Sequence, residues 1–204
     1  MRENIHCVMF GVKKEYTCLY IRQGVLAMKK AVPYWQMVGF IFTGVMGTLL
    51  HFLFDWTGGN AVVALFSAVN ESIWEHIKLL YYPMLAFAFV EYACWGSEVP
   101  QFWCVKLLGV LTGIVLIPVI YYAYTGILGV SADWFNIAIF YLVAAAVFYL
   151  ETKLFAKNTA CPIPWDRAFV ILCLMGVLFT VLTFAPPKIP IFQDPITGTY
   201  GFQK

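Results

Sequence analysis

Seven polar residues within one 28-residue stretch, HFLFDWTGGNAVVALFSAVNESIWEHIK over residues 51–78, are the part of this chain that could do chemistry: His51, Asp55, Asn70, Glu71, Glu75, His76 and Lys78. They stand in a sequence that is 62% hydrophobic and only 12% charged, where each of them is costly to bury. Two imidazoles and three carboxylates are the ligand types of a zinc, iron or manganese centre. His51, Asp55, Glu75 and His76 are the expected metal ligands. Glu71 is the expected base towards a metal-bound water, with Asn70, Lys78 and Asp194 as supporting partners.

Two other readings fit the same residues. On a helix, residues four apart share a face, so Glu71 and Glu75 lie about 40° apart, with Lys78 beside them and His76 on the flank. Two carboxyls that close could share a proton with Lys78 as counter-ion, as in a proton or cation pathway. The plainest reading is a set of interfacial residues bathed in headgroup water. No HExxH spacing occurs, so no standard zinc-protease motif supports the metal reading.

The elements that must position these residues are transmembrane helices. The aromatic share of 18% and the mean hydropathy of +0.78 exclude an ordinary soluble domain. At about 20 apolar residues per crossing, the chain has room for an all-α, polytopic helical membrane bundle with about five transmembrane helices. The spans are read as about 34–54, from Ser67 or Asn70 to about residue 92, 102–124, 132–153 with Ser131 as N-cap and Asp133 in the first turn, and 166–185. Residues 61–69 are too short to cross and read as a re-entrant or interfacial segment. Gly39, Gly44 and Gly47 let a neighbouring helix approach span one closely.

Three regions follow: an N-terminal arm over 1–32, a transmembrane domain over 33–186 and a C-terminal flap over 187–204. The arm carries six Lys or Arg and has no apolar run long enough to cross. Met28 also has the form of a start, so residues 1–27 are either an amphipathic arm or an over-extended gene start. Lysine and arginine counts put the arm in the cytoplasm and the C-terminus outside, in a multi-pass protein of the plasma membrane. The polar stretch then faces the extracytoplasmic side. The tail, with a turn at Asp194-Pro195-Ile196-Thr197, folds back over the same mouth.

On that topology Cys7, Cys18, Cys94, Cys104 and Cys161 fall inside and Cys173 within a span. Reduced thiols are expected, and no CxxC pair suggests a thiolate site. Glu91 and Glu151 read as interfacial, Asn136 and Thr112 as helix-to-helix hydrogen-bonding residues, and Tyr81, Tyr82, Tyr121, Tyr122 and Tyr124 as packing. A net charge of +2 excludes a nucleic-acid partner; the partner is the lipid bilayer.

The segments HFLFDWTGGN, ALFSAVNESIWEHIKLLYYP and PPKIPIFQDPITGTYG resemble the signature segments of a family of small prokaryotic membrane proteins catalogued as a domain of unknown function. The resemblance runs from about residue 33 to the end, implies that polar stretch and tail belong together, and brings no activity. A looser similarity, carried by His51 and Asp55 alone, is to ceramidase-like membrane hydrolases that hold zinc with His and Asp. No HxxxH occurs in a late span, so lipid-amide hydrolysis is not implied. Three functions fit: a metal-dependent membrane hydrolase with a lipid-linked or amphiphilic substrate, a small-solute or cation transporter or channel subunit using Glu71 and Glu75, and a structural or accessory membrane protein.

Overall fold

The computed structural model describes residues 14–157 and 161–203. Five helices follow in order: α1 (Lys14–Trp56), α2 (Ile73–Cys94), α3 (Phe102–Leu128), α4 (Asp133–Lys157) and α5 (Trp165–Phe184). Among the described residues the only extended pairing is an isolated bridge between Gln193 and Tyr200. All five helices contain a segment long and apolar enough to cross a membrane, so the chain is a multi-pass membrane protein of all-helical fold.

Hydropathy and burial run in opposite directions between α2 and α5. The span of α2 has the lowest mean hydropathy, 1.3, yet is 56% buried, whereas α5, at 2.3, is 22% buried. Lipid demands apolar surface outside, so the polar residues collect on the inner helix, where other helices supply their partners. Gly39, Gly44 and Gly47 do serve close approach: a Cβ on any of them would lie 2.6–2.8 Å from a ring of Phe148, Tyr141 or Phe140 on α4.

The first helix extends back to Lys14, while the part of it long and apolar enough to cross a membrane begins at Ala31. The remainder of the expected arm, residues 1–13, lies outside the described residues. The second span starts later than its sequence suggests. Asn70 Oδ1 accepts from the Ser72 amide and turns the chain, and Ser72 Oγ then caps the helix by accepting from the Glu75 amide. Glu71 therefore precedes the helix, and the face it was expected to share with Glu75 does not exist. The third helix runs on to Leu128, ended by Gly129 at φ +71°. Ser131 does not cap α4, since the Ala132 carbonyl takes the first amides, from Phe135 and Asn136.

Two side chains pin the non-crossing segment between α1 and α2. The Ser67 hydroxyl enters the α1 ladder, accepting from the Phe54 amide and donating to the Leu50 carbonyl. Lys78 Nζ donates to the Ala64 and Ser67 carbonyls, both at 2.9 Å. The tail packs on this same end of the bundle: the Phe202 amide donates to the Thr183 carbonyl at 2.8 Å, and Asn70 Nδ2 donates to the Gly201 carbonyl at 3.1 Å.

At the opposite end Cys104 and Cys161 form a disulfide with 6.3 Å between Cα atoms. This corrects the expectation of reduced thiols at both. The partners are 57 residues apart in sequence and meet only because the start of α3 and the segment entering α5 share one end of the bundle. Cys94 and Cys173 are free and exposed.

Candidate metal centre

The polar stretch divides into two clusters with different environments. In the first, Glu75 and Lys78 close on each other at 2.7 Å and are buried. Thr183 on α5 donates to Glu75 Oε1, the Val69 amide donates to Oε2, and Lys78 also donates to Thr183 Oγ1. Every donor of the ammonium and both carboxylate oxygens are engaged. Glu75 is thus the anchor of Lys78, and the structure does not bring it to the histidines.

The second cluster joins His51 of α1, His76 of α2 and Glu71 of the turn before α2. Glu71 Oε2 lies 3.5 Å from the Nε2 atoms of both histidines, and one ligand atom of each residue falls within 4.8 Å of the others. All three residues are partly buried. Glu71 reaches both imidazoles because it lies outside the helix: the turn at Asn70 to Ser72 aims it away from Glu75 and across to α1.

The His76 ring is oriented by its own helix. Nδ1 lies 2.9 Å from the Ser72 carbonyl, and because a carbonyl only accepts, Nδ1 carries the proton. In the neutral ring Nε2 is then a lone pair facing a carboxylate. Two acceptors turned towards each other call for a cation between them, a proton or a metal ion. The His51 imidazole, hydrogen-bonding to Glu71 at long range, holds the Glu71 carboxyl below its ordinary range; partial burial opposes this, and charge interaction with His76 and His51 adds to it.

The remaining expected site residues lie elsewhere. Asp55 is exposed, one turn beyond His51 and outside the three-residue cluster. Asn70 ties the turn to the tail, and Lys78 serves Glu75. Asp194 closes its own turn, accepting from the Ile196 amide and from Thr197 Oγ1. The tail reaches this region through Pro195 and Ile196. Ile196 lines both cavities that border Glu71 and His76, one of about 260 Å³ towards α3 and one of about 390 Å³ between α1 and α4, and Pro195 lines the smaller. Gly47, Thr48, Phe52, Phe140 and Tyr141 form much of the larger cavity's wall, so it is polar at the cluster and apolar along its length.

A second charged group, not read as functional from the sequence, lies at the disulfide end. Lys106 of α3 contacts the carboxylates of Glu91 on α2 and Glu151 on α4, at 2.6 Å for Glu151, and Gln36 of α1 donates to Glu91 at 2.8 Å. The available signal was a lysine inside an apolar span, with acids at comparable distances from the ends of the two neighbouring spans.

These features define a multi-pass helical membrane protein with a half-buried His/Glu cluster at one end and a sealed ion cluster at the other. The chain belongs to a family of unknown function (DUF6512), whose profile matches residues 26–202. No curated protein and no solved structure matches it.

Proposed function

We propose that the chain is a membrane-embedded, metal-dependent enzyme of hydrolase type, with His51, Glu71 and His76 as the protein ligands. The carrying observation is the spacing of Glu71 Oε2 from both imidazole nitrogens, 3.5 Å. Metal–nitrogen and metal–oxygen bonds of about 2.0–2.2 Å at tetrahedral angles separate ligand atoms by about 3.4 Å. The distance is long for a hydrogen bond and suited to a shared zinc, iron or manganese ion.

Two imidazoles and one carboxylate leave a fourth position open, the arrangement of catalytic rather than structural sites. A metal there supplies an activated water at neutral pH. In this reading Glu71 is a ligand, and the role of base first considered for it passes to no other residue. The cavity between α1 and α4 favours an amphiphilic substrate, its polar group at the metal and its chain along the apolar wall. The transport reading loses its acidic pair, because Glu75 is committed to Lys78.

In this proposal the loop charges turn the site to the extracytoplasmic side of the plasma membrane, although the Cys104–Cys161 disulfide then lies at the cytoplasmic end and argues for the opposite orientation. Lys78 and Lys106 are buried in ion pairs and drop out of the loop charge count, and the remaining bias keeps its sign. Cys94, free and exposed at the other end, is then shielded from a membrane-impermeant maleimide in intact cells; efficient labelling reverses the orientation.

The test of the metal reading is a zinc titration of chelator-treated protein in detergent, followed by calorimetry in two buffers of different ionisation enthalpy. Saturable binding with proton release is expected, since the metal displaces the proton that the His51 imidazole holds against Glu71. Glu71→Gln should weaken it by at least tenfold. Equal binding by wild type and Glu71→Gln contradicts the proposal.

A further inference from the structure

The ion cluster at the disulfide end carries an unbalanced charge. Glu91 and Glu151 are fully buried and Lys106 nearly so, and among the described residues Lys106 is the one cation touching both acids. With all three ionised the cluster holds one net negative charge in the membrane interior, the arrangement that burial penalises most. Two acceptors point the same way: Glu151 Oε1 and Gln36 Oε1 are buried without a hydrogen-bond donor. One proton on a carboxyl balances the charge and gives one of these oxygens its hydrogen bond.

We infer that the Glu91–Lys106–Glu151 cluster binds one exchangeable proton, shared by its two carboxyls, and so forms a protonation site inside the membrane. Each surrounding helix contributes to it: Gln36 from α1, Glu91 from α2, Lys106 from α3 and Glu151 from α4. Among the described residues, the other charged groups at this end, Glu98, Lys153, Lys157, Asp166 and Arg167, are exposed. Rings of Phe102, Phe148 and Phe155 stand within 5.8 Å of the ammonium. Trp95 packs on Phe102 and Phe155 and closes the end.

The packing favours a proton over a metal ion. Glu151 Oε1 rests on the backbone of Gly109, where even a Cβ would come within 2.2 Å of it. Lys106 fills the space between the acids. Two carboxyls coupled through one ammonium titrate as a pair, so the proton belongs to the cluster rather than to either residue. This site is independent of the metal centre and survives if that reading fails.

The experiment is infrared spectroscopy of the full-length protein in detergent at neutral pH, with hydrogen–deuterium exchange and ¹³C-labelled glutamate to mark the carbonyl stretch of a protonated glutamic acid. The wild type should show one such band. Glu91→Gln and Glu151→Gln should each abolish it, because the remaining carboxylate then balances Lys106, and Lys106→Met should double it. Glu75, paired one to one with Lys78, contributes none. A wild type without the band overturns the proposal, and the labelled wild type delivers that answer even if no variant folds. A band that survives both glutamine substitutions, or one abolished when sodium replaces choline at fixed pH, overturns it as well.

Discussion

The two ends of this bundle treat charge in opposite ways. At the Cys104–Cys161 end, Lys106 and its two glutamates are sealed under aromatic rings, and every charge depends on a partner a few ångströms away. At the tail end, His51, Glu71 and His76 are only partly buried, border two cavities and converge with Glu71 3.5 Å from each imidazole. The first arrangement holds helices together; the second leaves coordination unfilled. In a membrane interior, then, a polar cluster is read from whether its partners are complete rather than from how many charges it gathers.

The comparison breaks most visibly at Lys106. Replacing it by Met leaves two buried carboxyls without a cation and should destabilise the protein by about 3–5 kcal/mol, read as thermal unfolding in detergent. Adding Glu91→Gln and Glu151→Gln should recover most of that loss, and no recovery would show that the lysine acts through packing alone. Next in size is Gly201→Ala in the tail. Gly201 has φ +61°, and a Cβ there would lie 2.5 Å from the Thr183 carbonyl. A cost of about 1–3 kcal/mol is expected, with the tail becoming protease-sensitive before the helices do.

At the proposed metal centre the expected effects on folding are smaller. His51→Ala removes a partly buried proposed ligand, so stability should change by less than about 1 kcal/mol while metal is lost. A large loss of stability would make the cluster structural and erase the contrast between the ends. The smallest effect is that of acid. The Glu71 carboxyl is held below its usual range in the folded protein, so the unfolded chain binds its proton more readily. Its contribution is complete above the ordinary glutamate range and fades as pH falls through the lowered value. Glu71→Gln should flatten that part of a stability-against-pH curve.

The fold was largely legible because it follows from apolar runs of crossing length, and all five spans lie where those runs predict. The site was legible in composition but not in grouping. A helical wheel begun at Glu71 pairs it with Glu75, whereas the turn from Asn70 to Ser72 delays the helix to Ile73 and sends Glu71 to the histidines. Which acid Lys78 takes is set by Thr183 and by the carbonyls of Ala64 and Ser67, contacts up to 105 residues distant. The Lys106 cluster and the Cys104–Cys161 bond are likewise assembled by packing between spans, which no local spacing encodes. Asp194 was linked correctly to a turn, but its carboxylate serves that turn, and Pro195 and Ile196 are the tail's contribution to the cavity walls.

The central claim is that His51, Glu71 and His76 hold a metal ion. It is tested most directly by elemental analysis of detergent-purified protein, made without a histidine tag, beside a folded His51→Ala, His76→Ala variant. The prediction is about one equivalent of zinc, iron or manganese per chain in the wild type, and none in the variant. Metal-free wild type that also fails to take up any of the three on incubation, or equal metal in both proteins, would contradict it.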